Sequence, residues 1–115
     1  MTNDAQKPTT TDLLGQVFTL ADLIGYQEGA VVSRTLIKKP TGTVTLFAMD
    51  RGQEISEHTA PFDAMLQVLE GEVLISLSGS PHTLRAGQMI IMPANQPHAL
   101  KANERMKMLL VMIRS

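Results

Sequence analysis

The chain has 115 residues, 43% of them apolar, and ten Lys plus Arg against eleven Asp plus Glu leave a formal net charge of −1. That length suits one domain with a real hydrophobic core and is short for two. Balanced charge gives no clustered basic footprint for nucleic acid, the absence of cysteine removes disulfides, thiolate metal sites and a Cys nucleophile, and no apolar run approaches the ~18 residues that a membrane helix needs. Neither nucleic acid nor membrane is therefore an expected partner.

Residues 1–12 are polar and Thr-rich with no apolar stretch, so they are expected to form a flexible tail rather than a signal peptide. Residues 13–115 are expected to form the single domain, with the cytoplasm as the default address. Thr19-Leu20-Ala21-Asp22-Leu23-Ile24 before Gly25 reads as a short helical turn. Thr19 is the expected N-cap, Asp22 stands three residues on, and Gly25 closes the turn.

From Ala30 onward the period changes. Segments near 31–37, 43–49, 64–69, 72–78, 88–92, 98–102 and 106–113 are short and rich in Val, Ile, Leu, Met and Thr. Turn signals separate them, among them Pro40-Thr41-Gly42, Asp50-Arg51-Gly52, Glu70-Gly71 and Ala86-Gly87. Many short strands at intervals of roughly ten residues predict an all-β sandwich or barrel, not βαβ units. Val73, Ile75 and Leu77 share one face of their strand, the alternation of a half-buried strand. Around 43–49 both faces are apolar, with Val44, Leu46 and Ala48 on one and Phe47 and Met49 on the other. Such a strand is expected to be covered on both sides, by a second sheet and by a second subunit, which makes a homodimer the expected assembly. Met106, Met108, Leu110 and Met112 form a stripe at period 2. Methionine fills irregular gaps, so the stripe is first a packing feature, and an adaptable ligand pocket is the alternative.

Three histidines could carry chemistry. His58 and His98 each fall where a loop feeds a strand, whereas His82 follows Pro81 at a hairpin end and reads as a solvated residue. No G-x-S-x-G elbow, no phosphate-cradling Gly-rich loop and, with one Tyr and no Trp, no stacking platform is present.

Gly52, His58 and Gly71 stand in the register of the first cupin motif, Gly-x5-His-x-His-x3–4-Glu-x6-Gly. Gly87, Pro93 and His98 stand in the register of the second, Gly-x5-Pro-x-Gly-x2-His. Over residues 43 to 113 the chain thus resembles the cupin superfamily, in particular its small single-domain conserved barrels. The resemblance implies a double-stranded β-helix, or jelly-roll, barrel following the N-terminal helical turn. Cupins that use a metal typically hold it with three His and one Glu. Here Ala60 falls on the second His, Ala64 on the Glu, and Asn95 on the second-motif Gly. Only His58 and His98 remain as candidate metal ligands, and a divalent ion (Fe, Mn, Ni or Zn) is the implied cofactor. Asp63, Glu57 and Gln67 could supply an oxygen donor only where strand alternation is broken.

The expected pocket lining is His58, Ala60, Ala64, His98 and Leu100. Small residues at 60 and 64 favour a barrel that binds a small molecule, possessing at most a weakly held divalent metal. Two alternatives are a metal-dependent dioxygenase or isomerase that uses His58 and His98, and a non-catalytic dimerising module. Whether the chain is an enzyme stays open at this point, because one barrel hosts many functions.

Overall fold

The computed structural model describes residues 13–114, so the tail expected at 1–12 lies outside the described residues. A 3-10 turn at Leu20–Leu23 is followed by β1 (Val31–Lys39), β2 (Gly42–Met49), β3 (Glu54–His58), β4 (Asp63–Glu70), β5 (Glu72–Leu77), β6 (Ser80–Arg85), β7 (Met89–Met92), β8 (His98–Ala102) and β9 (Met106–Ile113). These strands form two antiparallel sheets, ordered β1-β2-β9-β4-β7 and β3-β8-β5-β6. Apart from the β1–β2 and β5–β6 hairpins the chain crosses from one sheet to the other, which is the connectivity of the jelly roll that the cupin resemblance implies and a form of the all-β sandwich or barrel that the strand spacing predicts.

The two sheets close over one core. Met49, Leu66, Val68, Met106 and Met108 come from the larger sheet, and Val73, Ile75, Leu84, Leu100 and Ala102 from the smaller. Burial of each such side chain stabilises the fold by roughly 1.5–3 kcal/mol before chain entropy is counted. Alternation selects them: Met106 and Met108 face inward, while Lys107 and Leu109 face out.

A second apolar cluster explains the two-sided strand. Leu46 and Ala48 point to the outer face of β2, where Ile24 and Leu36 are buried with them and Leu20, Leu23, Tyr26 and Leu109 pack alongside. The outer face is thus covered by the N-terminal strap of the same chain. Polar ties hold the strap down. Lys107 Nζ donates to the Ala21 carbonyl at 2.6 Å, Arg34 to the Leu23 carbonyl at 2.8 Å, and the Tyr26 hydroxyl to Glu70 at 2.6 Å. The Tyr26 ring lies beneath Arg105 and Lys107, at 5.0 and 5.1 Å. Burial, then the bond to Glu70, raises the Tyr26 phenol above its ordinary pKa. Asp50 accepts from the Gly29 amide at 2.7 Å and from Arg105 at 2.8 Å, and these donors, the amide first, hold its carboxyl down at about 2.

Two strands, β3 and β6, escape the sequence pattern. Glu54-Ile55-Ser56-Glu57-His58 carries one aliphatic residue and Ser80-Pro81-His82-Thr83-Leu84-Arg85 carries one. Both are edges of the smaller sheet, where one side of the strand meets solvent and an apolar run is not required. His58 therefore ends a strand rather than preceding one, and His82 is exposed within β6. At the N-terminal turn, Thr19 holds the N-cap position without a side-chain cap bond, and extended Ile24, not Gly25, ends the turn.

Candidate functional site

His58 and His98 are cross-strand partners in the β3–β8 ladder. Their ring centroids lie 4.2 Å apart with ring planes at 64°, an edge-to-face pair. Strand alternation alone would set Ile55 and His58, three residues apart, on opposite faces. A register irregularity between them re-aims the strand, so that both side chains line one cavity.

Each imidazole is fixed by its own backbone. His58 Nδ1 lies 2.8 Å from the Ser56 carbonyl and His98 Nδ1 lies 3.1 Å from the Gln96 carbonyl. A carbonyl only accepts, so Nδ1 carries the hydrogen in both rings, and in the neutral ring Nε2 keeps its lone pair. His98 is buried and His58 exposed, so the pair runs from the barrel wall to its mouth.

The cavity behind them has a volume of about 230 Å³. Besides the histidines it is lined by Ile55 of β3, Leu100 of β8, Phe47 of β2, Leu66 of β4, Met92 of β7, and Met108, Leu110 and Met112 of β9. Among the described residues, eight apolar side chains and two imidazoles make the wall, and no charged side chain belongs to it.

Of the lining expected from sequence, His58, His98 and Leu100 meet here. Ala60 and Ala64 do not belong to the lining. Ala60 lies between β3 and β4, where its carbonyl accepts from the Asn95 amide at 2.8 Å. Ala64 is buried in β4, paired with Met92 on one side and Met112 on the other. Those two methionines line the cavity on either side of it, taking the place that an empty Ala64 position was expected to leave open. Met92, Met112, Phe47 and Leu66 could not be read as neighbours because they meet only through pairing between distant strands. The one hint in the sequence was the methionine stripe of β9.

The motif positions have a backbone reason. Gly71 has φ +80°, and a side chain there would collide with the Arg105 carbonyl, so glycine is required at the β4–β5 turn. Asn95, where the resembled family has Gly, has φ +67°. Asparagine tolerates that left-handed conformation better than most residues, which accounts for the replacement.

The donor set does not fit the metal centre of the resembled family. Asp63 turns aside to accept from the Ala94 amide at 2.9 Å, Glu57 is exposed, and Gln67 faces outward between Met89 and Leu109. Among the described residues no group of three or more His, Cys, Asp or Glu is placed to hold an ion. Two imidazoles fall short of the three protein ligands of catalytic zinc and of the two-His-one-carboxylate set of non-haem iron. No helix among the described residues is long and apolar enough to cross a membrane.

Comparison with known proteins agrees with this architecture. The family model for the cupin domain matches residues 45–113. A conserved protein of unknown function from Streptococcus pyogenes is similar at 37% identity over 88% of this chain and 89% of its own, with a TM-score of 0.84. A cupin 2 conserved barrel domain protein from Leptotrichia buccalis is 38% identical over 84% of this chain and 47% of its own, with a TM-score of 0.82. A salicylate 1,2-dioxygenase from Pseudoaminobacter salicylatoxidans shares the fold at 18% identity and a TM-score of 0.68, over 72% of this chain and 26% of its own. No curated protein matches the chain. The sheet topology, the two motif skeletons and these matches together make the chain a member of the cupin family.

Proposed function

We propose that this cupin binds a small, largely apolar molecule in its barrel cavity and holds the molecule's single polar head at His58 and His98. One observation carries the reading: a cavity of about 230 Å³ whose only polar side chains, among the described residues, are the two imidazoles. Small-molecule sites combine a mostly apolar wall with a few convergent polar groups in this way. For scale, an apolar cavity of about 150 Å³ accepts benzene, so this one suits roughly a single ring with a short substituent or a short aliphatic chain. Neutral imidazoles with Nδ1 committed to carbonyls offer acceptors, so the head that suits them carries an O–H or N–H donor.

Phenol and 1-hexanol are suitable probes in a thermal-shift measurement. Ligand at ten times its Kd stabilises by about 1.4 kcal/mol, and both probes are expected to raise the melting temperature of the unaltered protein and to raise it less in His58→Ala. An unchanged melting temperature with both probes up to millimolar concentration would overturn the reading. A metal-dependent oxygenase or isomerase is the weaker reading, because the His pair lacks the third donor that such chemistry needs. Self-association belongs to the proposal as well: Ile91 and Ile113 are exposed at the larger sheet, and a homodimer is the expected species in sedimentation. Monomer alone at micromolar concentration would remove that part.

A further inference from the structure

We infer that two copies of this chain join along the free edge of β7, antiparallel about a two-fold axis at Ile90, so that their five-stranded sheets run on into each other. The inference rests on the self-association proposed above and names the strand that carries it.

Sheet edges are normally guarded against such pairing by charge, proline or a bulge. Three of the four edges here are guarded in this way. β1 carries Arg34, Lys38 and Lys39 and has a register shift between Thr35 and Ile37. β3 carries Glu54 and Glu57 with a register shift of its own, and β6 carries Pro81 and Arg85. β7 is Met89-Ile90-Ile91-Met92, without charge or proline and in unbroken register with β4. Its outward side chains, Met89 and Ile91, are 45% and 57% exposed. Its inward Met92 lines the cavity, so a seam at this edge runs beside the binding site.

Hydrogen bonding decides which groups of β7 are left to pair. The Val68 amide donates to the Gln88 carbonyl at 2.9 Å, and the same ladder continues through Leu66–Ile90 and Ala64–Met92. Roles alternate along an antiparallel strand, so Ile90 and Met92 turn their N–H and C=O groups toward β4. Met89 and Ile91 turn theirs to the free side, where no other group among the described residues bonds to them. One self-register uses all of these groups. An axis at Ile90 sets Met89 opposite Ile91 of the partner subunit, and the two exchange N–H and C=O in each copy. The opposed side chains are then apolar against apolar on the outer face. An axis at Ile91 would oppose Met89 to a proline, Pro93, which has no N–H to give. An axis at Met89 would oppose Ile91 to Gly87, whose amide already donates to the Val68 carbonyl. A slip by one residue would set inward side chains against outward ones.

The test uses the full-length chain, which has no cysteine, so one introduced thiol reports one contact. Across the axis the two Ile90 positions form a non-hydrogen-bonded pair with Cα atoms about 4.5 Å apart. That spacing lies inside the disulfide range of about 4.4–6.8 Å. Ile90→Cys is expected to oxidise to a covalent dimer, whereas Ile113→Cys, exposed on the outer face of β9, is expected to stay largely uncross-linked. In the unaltered protein, exchange of the Met89 and Ile91 amides is expected to slow about tenfold between dilute and dimeric samples. Ile91→Lys, which adds the missing edge charge, is expected to leave a folded monomer. If Ile90→Cys fails to fold, amide exchange in the unaltered protein decides. Monomer alone at micromolar concentration would overturn this inference together with the self-association on which it rests. A dimer that cross-links through Ile113→Cys and not through Ile90→Cys would overturn the edge pairing alone. So would a dimer whose Met89 and Ile91 amides exchange as fast as in the monomer, or one that survives Ile91→Lys.

Discussion

His58 and His98 face each other across the β3–β8 ladder with ring centroids 4.2 Å apart, although they stand forty positions apart in the chain. Each ring is pinned by a carbonyl two residues back along the chain, Ser56 within β3 and Gln96 in the loop before β8, so the geometry of the pair is set by backbone and not by solvent. The partners are unequal in burial: His98 is 7% exposed, whereas His58 stands at the surface. That inequality separates what each contributes to folding from what each contributes to binding.

Substitution of His98 by Ala is expected to lower unfolding free energy by about 1–2 kcal/mol, because it empties a buried position and strips the Gln96 carbonyl of its donor. His58→Ala is expected to stay within about 0.5 kcal/mol of the parent, as surface changes usually do. Urea denaturation of the two variants checks the ordering; equal losses would mean that the pair is a structural unit.

Ala64→Glu places a carboxylate at the family's position, between Met92 and Met112 and toward the histidine cavity. Burying that group without a partner is expected to destabilise the metal-free protein by about 1–3 kcal/mol. Two His and one carboxylate then make a set that zinc(II) or nickel(II) can use. Melting temperature is expected to rise with added zinc(II) in the variant and to be little changed in the parent. Zinc(II) stabilisation of the parent equal to that of the variant would show that the cavity needs no carboxylate.

Gly71→Ala is expected to cost at least about 2 kcal/mol, since the new Cβ meets a backbone carbonyl that cannot move aside and φ +80° is unfavourable for alanine. Gly25→Ala, at a position without nearby atoms or positive φ, serves as the control. Comparable midpoints in denaturant for the two variants would contradict this account of the β4–β5 turn.

Alkaline pH is expected to loosen the strap. The Tyr26 phenol is raised above its ordinary value near 10, so the folded state keeps a proton that the unfolded state releases. Stability from this group is complete below about pH 10 and is lost as pH rises toward the folded value. Tyr26→Phe, which removes both the titrating group and its bond to Glu70, is expected to be less stable at pH 7 and to fall less steeply above pH 10. Parallel pH curves for parent and variant would rule out Tyr26 as the source.

Most of the barrel was readable as a sequence because its strands are short apolar runs between turn residues. The reading stopped where burial is one-sided. Edge strands β3 and β6 have a single aliphatic residue each and look like loop, so the sequence sets His58 in a loop that feeds the next strand, whereas it ends β3. The pairing of His58 with His98 could be anticipated only through motif spacing, because no local rule brings two distant segments together. Ala64 shows the limit most clearly. Its small side chain suggested open space, but the filling of that space depends on Met92 and Met112, which reach it through ladders with β7 and β9. The apolar outer face of β2 was legible as covered, and the coverage found here is the chain's own strap through Ile24 and Leu36.

The most direct test of a ligand-binding cavity at the His58–His98 pair is a titration of phenol against protein labelled at its methionine methyls. The cavity predicts saturable shifts at Met92, Met108 and Met112, with weaker saturation in His58→Ala, while Met65 and Met89 on the outer face hold still. Shifts confined to Met65 and Met89, or no saturable shift at any methionine, would contradict it.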